Sequence, residues 1–188
     1  MSLLSFPEKK DMLIDSLRSN NLSSLAIIGM EKNVGKTTVL NHLIQEAKAV
    51  GFTPTLAITS IGRDGEEKDL VTSTMKPKIY VYPGTLVATA RDFLKHCDLT
   101  KEILATTGIS TSVGEVVIFR AKSAGFVEIA GPSGVEDARR IKDLFLEIDP
   151  DSFYLVDGAL SRKSTAGHFL TDGAILATGA ALDHSMAK

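Results

Sequence analysis

The chain has a single cysteine and no tryptophan. Cys97 alone cannot close an internal disulfide or found a cysteine-based zinc site. The four histidines (His42, His96, His168 and His184) are scattered, and none stands at metal-ligand spacing, so no structural metal is expected. Aromatic residues make up only 6% of the chain, too few for a platform on which single-stranded bases could stack. Positive charge is not in excess either. Twenty-one Lys and Arg stand against 23 Asp and Glu, a formal net charge of −2. That leaves no net field to draw in nucleic acid or an anionic membrane, and neither is expected as a partner. Long apolar runs are missing as well. The N-terminal stretch is too poor in apolar residues for a signal peptide, and no later run approaches a membrane span, so the cytoplasm is the expected location.

What remains is a chain of 188 residues, 44% hydrophobic and 23% charged, which suits one substantial core. Pro7 to Arg18 reads as a short amphipathic helix, with Met12, Leu13 and Leu17 on one face. Residues 1–20 are therefore expected as a helical appendage to a single domain over 1–188. Ser24 to Gly29 (S-L-A-I-I-G) is a continuous apolar run of strand length, as a parallel strand buried on both faces requires. Val39, Leu40, Leu43, Ile44, Ala47 and Val50 then recur at helical spacing, and Thr55 to Thr59 is a second buried strand. Together they have the size of a strand–helix–strand unit. Gly62 to Lys76 is a charged loop or weak helix.

Further on, residues 79–82 read as a strand, 86–96 as a helix and 100–107 as another helix capped by Thr100. Residues 115–121 read as a strand, with a helix as the alternative. As a strand, the short link Lys122 to Gly125 would make a hairpin with the strand Phe126 to Ala130. A helix over 136–147 and strands at 153–156 and 174–177 complete the pattern. Strands alternating with helices predict an α/β fold: a mainly parallel sheet in three layers, with ligands at the carboxyl ends of the strands. Asp183, past the last strand, looks like the N-cap of a helix that does not follow. The core is thus expected to lack its closing helix, through a trimmed chain or a face covered by a partner.

The segment G29-M-E-K-N-V-G-K-T-T38 carries the chemistry. It stands between a buried strand and an amphipathic helix, where backbone N–H groups and a helix N-terminus can surround a phosphate. Gly35 lets the backbone come close, Lys36 supplies charge to the outer phosphates, and the Thr37 hydroxyl can ligate Mg²⁺. Glu31, Lys32, Asn33, Val34, Gly35, Lys36, Thr37 and Thr38 are the candidate nucleotide-binding residues. An ordinary strand-to-helix turn with an exposed lysine is the competing reading.

Five residues separate Gly29 from G-K-T, one more than the usual four. This variant resembles the loop of dethiobiotin synthetase and its relatives in the SIMIBI group of P-loop proteins, a likeness that implies a P-loop NTPase-like fold. MinD-type members of that group carry a signature lysine that reaches across a dimer. Here Glu31 stands at that place, with Lys32 one residue later. The resemblance also implies roles for two acids. Asp64, in G-R-D-G-E, falls where relatives place a Mg²⁺-linked or water-orienting acid. Glu128, in F-V-E-I-A-G-P, falls on a strand like their Mg²⁺-side strand. Lys36, Asp64 and Glu128 are then the expected catalytic set, and Thr37, Asp64 and Glu128 the metal set. A solvated turn acid and an outward-facing strand residue are the competing readings of the two acids. Asp157, at the end of F-Y-L-V-D, is a third candidate, with an ordinary Asp-Gly turn as its competing reading, and Arg162 and Lys163 are read as surface residues. No N-K-x-D element that would read guanine is present, so ATP with Mg²⁺ is favoured and GTP stays open.

G-M-E-K-N-V-G-K-T-T, T-S-I-G-R-D-G-E, V-E-I-A-G-P-S-G and L-V-D-G-A-L-S-R together resemble one family more closely. It is the small subunit of the reactivating factors of adenosylcobalamin-dependent lysine and ornithine aminomutases, and the likeness runs from about Leu25 to Leu182. It implies ATP-driven release of damaged cobalamin from the mutase, with a larger ATPase subunit as partner. The expected function is thus an ATP-hydrolysing switch acting on a partner protein, with a homodimer also compatible. A small-molecule kinase or ligase of the dethiobiotin synthetase type is the alternative. A P-loop domain that binds nucleotide without turnover is a third reading.

Overall fold

The structure is a computed structural model that describes residues 13–29, 34–61, 78–158 and 170–178. Its elements in chain order are α1 (Leu13–Ser19), β1 (Ser24–Gly29), α2 (Lys36–Ala49), β2 (Leu56–Ile61), β3 (Ile79–Val81) and β4 (Leu86–Ala90). After a 3₁₀ turn over Arg91–His96 come β5 (Lys101–Thr111), β6 (Gly114–Ala121), β7 (Gly125–Val127), α3 (Val135–Ile148), β8 (Phe153–Gly158) and β9 (Gly173–Ala177). The main sheet has seven strands in the order β5-β6-β4-β2-β8-β1-β9. From β4 to β9 the neighbours run parallel, while β6 and β5 extend the sheet antiparallel. β3 and β7 form a separate antiparallel ribbon. The mostly parallel α/β sheet expected from the sequence is the observed architecture.

Alternation along the buried strands divides the core in two. Leu25 and Ile27 of β1, Ile58 of β2 and Phe153 and Leu155 of β8 pack against Leu40, Leu43 and Ile44 of α2. Their neighbours Ala26, Ala57, Tyr154 and Val156 face the other way, against Ala138, Ile141 and Phe145 of α3. The two helices must lie on opposite faces. α2 carries the chain from β1 past β8 to β2, whereas α3 carries it back toward β8. Right-handed crossovers in opposite directions use opposite faces. The inner side of the ribbon, through Ile79, Val81 and Val127, joins the α2 layer.

Several local expectations are overturned. Residues 86–96 are β4 followed by a 3₁₀ turn, not one helix. All five residues of β4 are buried, and an apolar run covered on both faces lacks the alternation that separates strand from helix. Residues 100–107 belong to the eleven-residue β5 rather than a helix. Adjacent Ile103 and Leu104 suggest a helix face, but this strand has irregular pairing between Ile103 and Ala105 and again between Thr106 and Ser110. Residues 115–121 are indeed a strand, β6, but its hairpin partner is β5, across the turn at 112–113. No hairpin joins β6 to β7, because β7 leaves the sheet for the ribbon. The strand expected over 126–130 stops at Val127. Residues 7–12 of the N-terminal helix, the loop 62–76, Arg162, Lys163 and Asp183 lie outside the described residues. No helix among the described residues is long and apolar enough to cross a membrane.

A polar tie anchors the edge strand β9. Asp172 accepts hydrogen bonds from the Ser23 N–H (2.8 Å) and the Ser23 hydroxyl (2.7 Å). Lys142 of α3 donates to the Ser24 hydroxyl (3.2 Å) and to the Leu170 carbonyl (3.1 Å). Partial burial works against the charge of Asp172, but these Ser23 bonds and the nearby Lys142 outweigh it and hold the carboxyl below its usual pKa. A depressed carboxyl stabilises the fold above the unfolded-state pKa, about 3.9, and loses that contribution as pH falls through the folded value. Asp172→Asn should therefore cost about 1 kcal/mol at pH 7, a figure kept low by solvent screening. Urea unfolding at pH 7 and again below pH 3 should show the deficit closing at acid pH.

Candidate functional site

In a parallel sheet the carboxyl ends of the strands share one edge, and ligands bind where neighbouring strands send the chain in opposite directions. β1 leads toward β2, and its neighbour β8 leads toward β9. The switch point therefore lies between β1 and β8. The strand Ser24–Gly29 delivers the G-K-T segment to one side of this point, and Phe153–Gly158 delivers Asp157 to the other.

On the β1 side the backbone is built for close approach. Gly35 has φ +92°, a left-handed conformation that side-chain-bearing residues rarely adopt, and it is the N-cap of α2. A glycine cap has no side chain to satisfy the first-turn N–H groups, which an α-helix cannot bond internally. The described residues place no side-chain cap on this helix end, which carries a partial positive charge. Gly29 matters for a different reason. A Cβ there would sit 2.7 Å from Cδ of Lys36 and 2.8 Å from Cγ2 of Val34, so the lysine stem lies back across the end of β1. Lys36 and Thr37 are half-buried, and Thr38 is exposed. Glu31, Lys32 and Asn33 lie outside the described residues, as does Asp64.

On the β8 side, Asp157 pairs in register with Ile27 of β1 and with Ser60 of β2. Strand alternation puts it on the same face as Phe153 and Leu155, which is the α2 face. Its Oδ1 is shielded from solvent. Asp157 thus lies on the strand next to the one that leads into α2, on the face that α2 covers.

Glu128 sits elsewhere. The segment after β7 runs along the end of β4, where the Thr89 hydroxyl donates to the Glu128 carbonyl (3.3 Å) and the Ala130 N–H donates to the Thr89 hydroxyl (2.9 Å). β4 lies three strand positions from β1, roughly 14 Å at the usual strand spacing. Its carboxylate approaches Nδ1 of His96 at 3.4 Å, with both side chains partly exposed. No sequence signal pairs these two residues, because the 3₁₀ turn that presents His96 is read as helix from the sequence. Next to them, burial pushes the Cys97 thiol above its usual pKa, against the opposing pull of the Glu128 backbone N–H and Lys101. A buried, protonated thiol is a poor nucleophile. Among the described residues no three His, Cys, Asp or Glu side chains gather as a metal cluster.

Two further glycines lie tight against the end of β2. A Cβ on Gly131 would collide with the carbonyl oxygen of Ser60, and one on Gly158 with that of Ile61. Gly131 is held there by its N–H, which donates to the Ser60 hydroxyl at 2.8 Å. Backbone oxygens inside a sheet cannot move aside, whereas a lysine stem can. Gly131→Ala and Gly158→Ala should each cost about 2–3 kcal/mol or more, and Gly29→Ala distinctly less. Denaturant midpoints of the three variants decide this, and equal losses at all three positions would contradict it.

No family model, curated protein or solved structure matches the chain.

Proposed function

We propose that the chain is a P-loop protein that binds and hydrolyses Mg²⁺-ATP and acts as a switch on a partner protein. One observation carries this reading: a helix start at Gly35–Lys36–Thr37 with no side-chain cap follows β1, and the strand next to β1 ends in the acid Asp157, at the switch point of a parallel sheet. The first-turn N–H groups and Lys36 would hold phosphate oxygens. The Thr37 hydroxyl and the Asp157 carboxylate are hard oxygen donors. They fit Mg²⁺, which takes one or two protein oxygens and completes its shell with phosphate and water. Bound there, Mg²⁺ would neutralise charge developing on the transferred phosphoryl group. The separation of Glu128 from β1 favours Asp157 over Glu128 for this role. Asp64 keeps the Mg²⁺-linked or water-orienting role that the resemblance implies.

The resemblance to the small subunit of aminomutase reactivating factors extends the reading. The partner would then be a cobalamin-dependent aminomutase, a larger ATPase subunit, or both. The kinase or ligase alternative draws on one observation, the half-exposed His96–Glu128 pair on the same sheet edge. Such a pair could take a proton from an acceptor bound beside the nucleotide. A switch should hydrolyse ATP slowly alone and faster with its partner, without a small acceptor. A kinase should turn over only when an acceptor is supplied.

Lys36→Ala is expected to abolish ATP binding in calorimetry, and unchanged affinity would overturn the phosphate site. Asp157→Asn should keep binding but lower hydrolysis by about a hundredfold, with a smaller loss for Glu128→Ala. Phosphate-release assays with Mg²⁺ present rank the two acids, and a larger loss at Glu128 would reverse the assignment.

A further inference from the structure

Only 11 residues of the chain, three Tyr and eight Phe, are aromatic, yet three of them meet on the small ribbon. Tyr80 is 37% exposed and Phe126 41%, and their rings meet edge to face at 5.0 Å. Tyr82 adds a second edge contact to Tyr80 at 5.4 Å, with the Lys48 ammonium 5.6 Å from its ring centre. Tyr80 and Phe126 are direct cross-strand partners.

Both outer edges of this ribbon are closed by bonds to other elements. On the β7 side, the Phe126 N–H donates to Oδ1 of Asp98, and the Asp98 N–H donates to the Phe126 carbonyl at 3.1 Å. On the β3 side the closing group is Asn41, in the middle of α2. Its amide donates to the Lys78 carbonyl (3.1 Å) and accepts from the Tyr80 N–H (2.9 Å). One side chain thus makes both hydrogen bonds that a neighbouring strand would make. It does so from the helix whose first residues are Lys36 and Thr37. Beyond β7, the same ribbon continues into the Glu128–Gly131 segment on the carboxyl edge.

We propose that Asn41 is a positioning residue that locks the β3–β7 ribbon to the phosphate-binding helix, so that nucleotide at Lys36–Thr37 is read at the exposed Tyr80–Phe126 face. The inference rests on the nucleotide reading above and adds the route by which occupancy leaves the site. A helix is stiff along its axis, so a small shift of its first turn toward a phosphate moves Asn41 with it. The two amide bonds pass that shift to the backbone of Tyr80. Helix displacements of about 1–2 Å are an ordinary range for such transitions.

The absence of tryptophan supplies the test. Tyr80→Trp places a single indole on the exposed face of the chain. Adding Mg²⁺-ATP should shift its emission. Combining it with Asn41→Ala should abolish that shift while calorimetric ATP affinity stays within about threefold. A purely structural role for Asn41 would lower the melting temperature without removing the shift. Asn41→Asp keeps the acceptor for the Tyr80 N–H and should retain part of the signal, which covers the case in which the alanine variant does not fold. A full-sized shift in the Asn41→Ala background overturns the proposal. So does ATP binding with no shift in the Tyr80→Trp parent. Failure of ATP to bind at all is separately visible in calorimetry, and it overturns the nucleotide reading together with this one.

Discussion

Parallel pairing between β1 and β8 is the constraint from which the rest of the molecule follows. Two strands lying side by side in the same direction cannot be joined by a tight turn, so each must hand the chain to a crossover on one face of the sheet. Both faces are then covered, and the strands must be apolar throughout. Leu25 and Ile27 answer to α2, and Ala26 with Tyr154 and Val156 answers to α3. The same pairing leaves the carboxyl ends of β1 and β8 adjacent while their chains depart in opposite directions. The opening above them is a product of topology, before any side chain is chosen to fill it.

Polar groups are placed where that architecture leaves the backbone wanting. Thr89 stands in for a strand at the end of β4, Asn41 does so beside β3, and Asp172 with Ser23 and Ser24 secures the entry to β9. Each links elements far apart in sequence, and each works through hydrogen bonds rather than buried area. The small aromatic content is concentrated in the same way. Phe145 and Tyr154 fill the α3 side of the core, and Tyr80, Tyr82 and Phe126 collect on the ribbon.

The helical crossovers and the twice-buried strands are legible in the sequence, because 3.6-residue spacing in α2 and α3 and unbroken apolar runs in β1 and β8 are direct images of burial. The turn into α2 is legible too, since Gly35 with Lys36 and Thr37 stands at the junction of those two patterns. β4 is not, because five consecutive buried residues carry no period. β5 is hidden by bulges that break its alternation near Ile103 and Thr106. Asp157 can be named as a strand-end acid, but its place beside β1 depends on strand order, which one-dimensional patterns do not contain. The meeting of His96 with Glu128, and the use of Asn41 as a substitute strand, depend on turns whose conformation is set by tertiary contacts.

The register of β1 also says something about how the molecule comes into being. Among the described residues its neighbours are β8 and β9, and Ser24 aligns with Tyr154. During synthesis the first strand must wait, unpaired, until β8, far along the chain, has left the ribosome. The β5–β6 hairpin, by contrast, closes across two residues and can form at once. Contacts of such high sequence separation slow folding and prolong exposure of apolar strands. The junction between β1 and β8 therefore forms late, and only the pairing of β9 with β1 can follow it. A nascent chain of this kind completes its central sheet only late in synthesis.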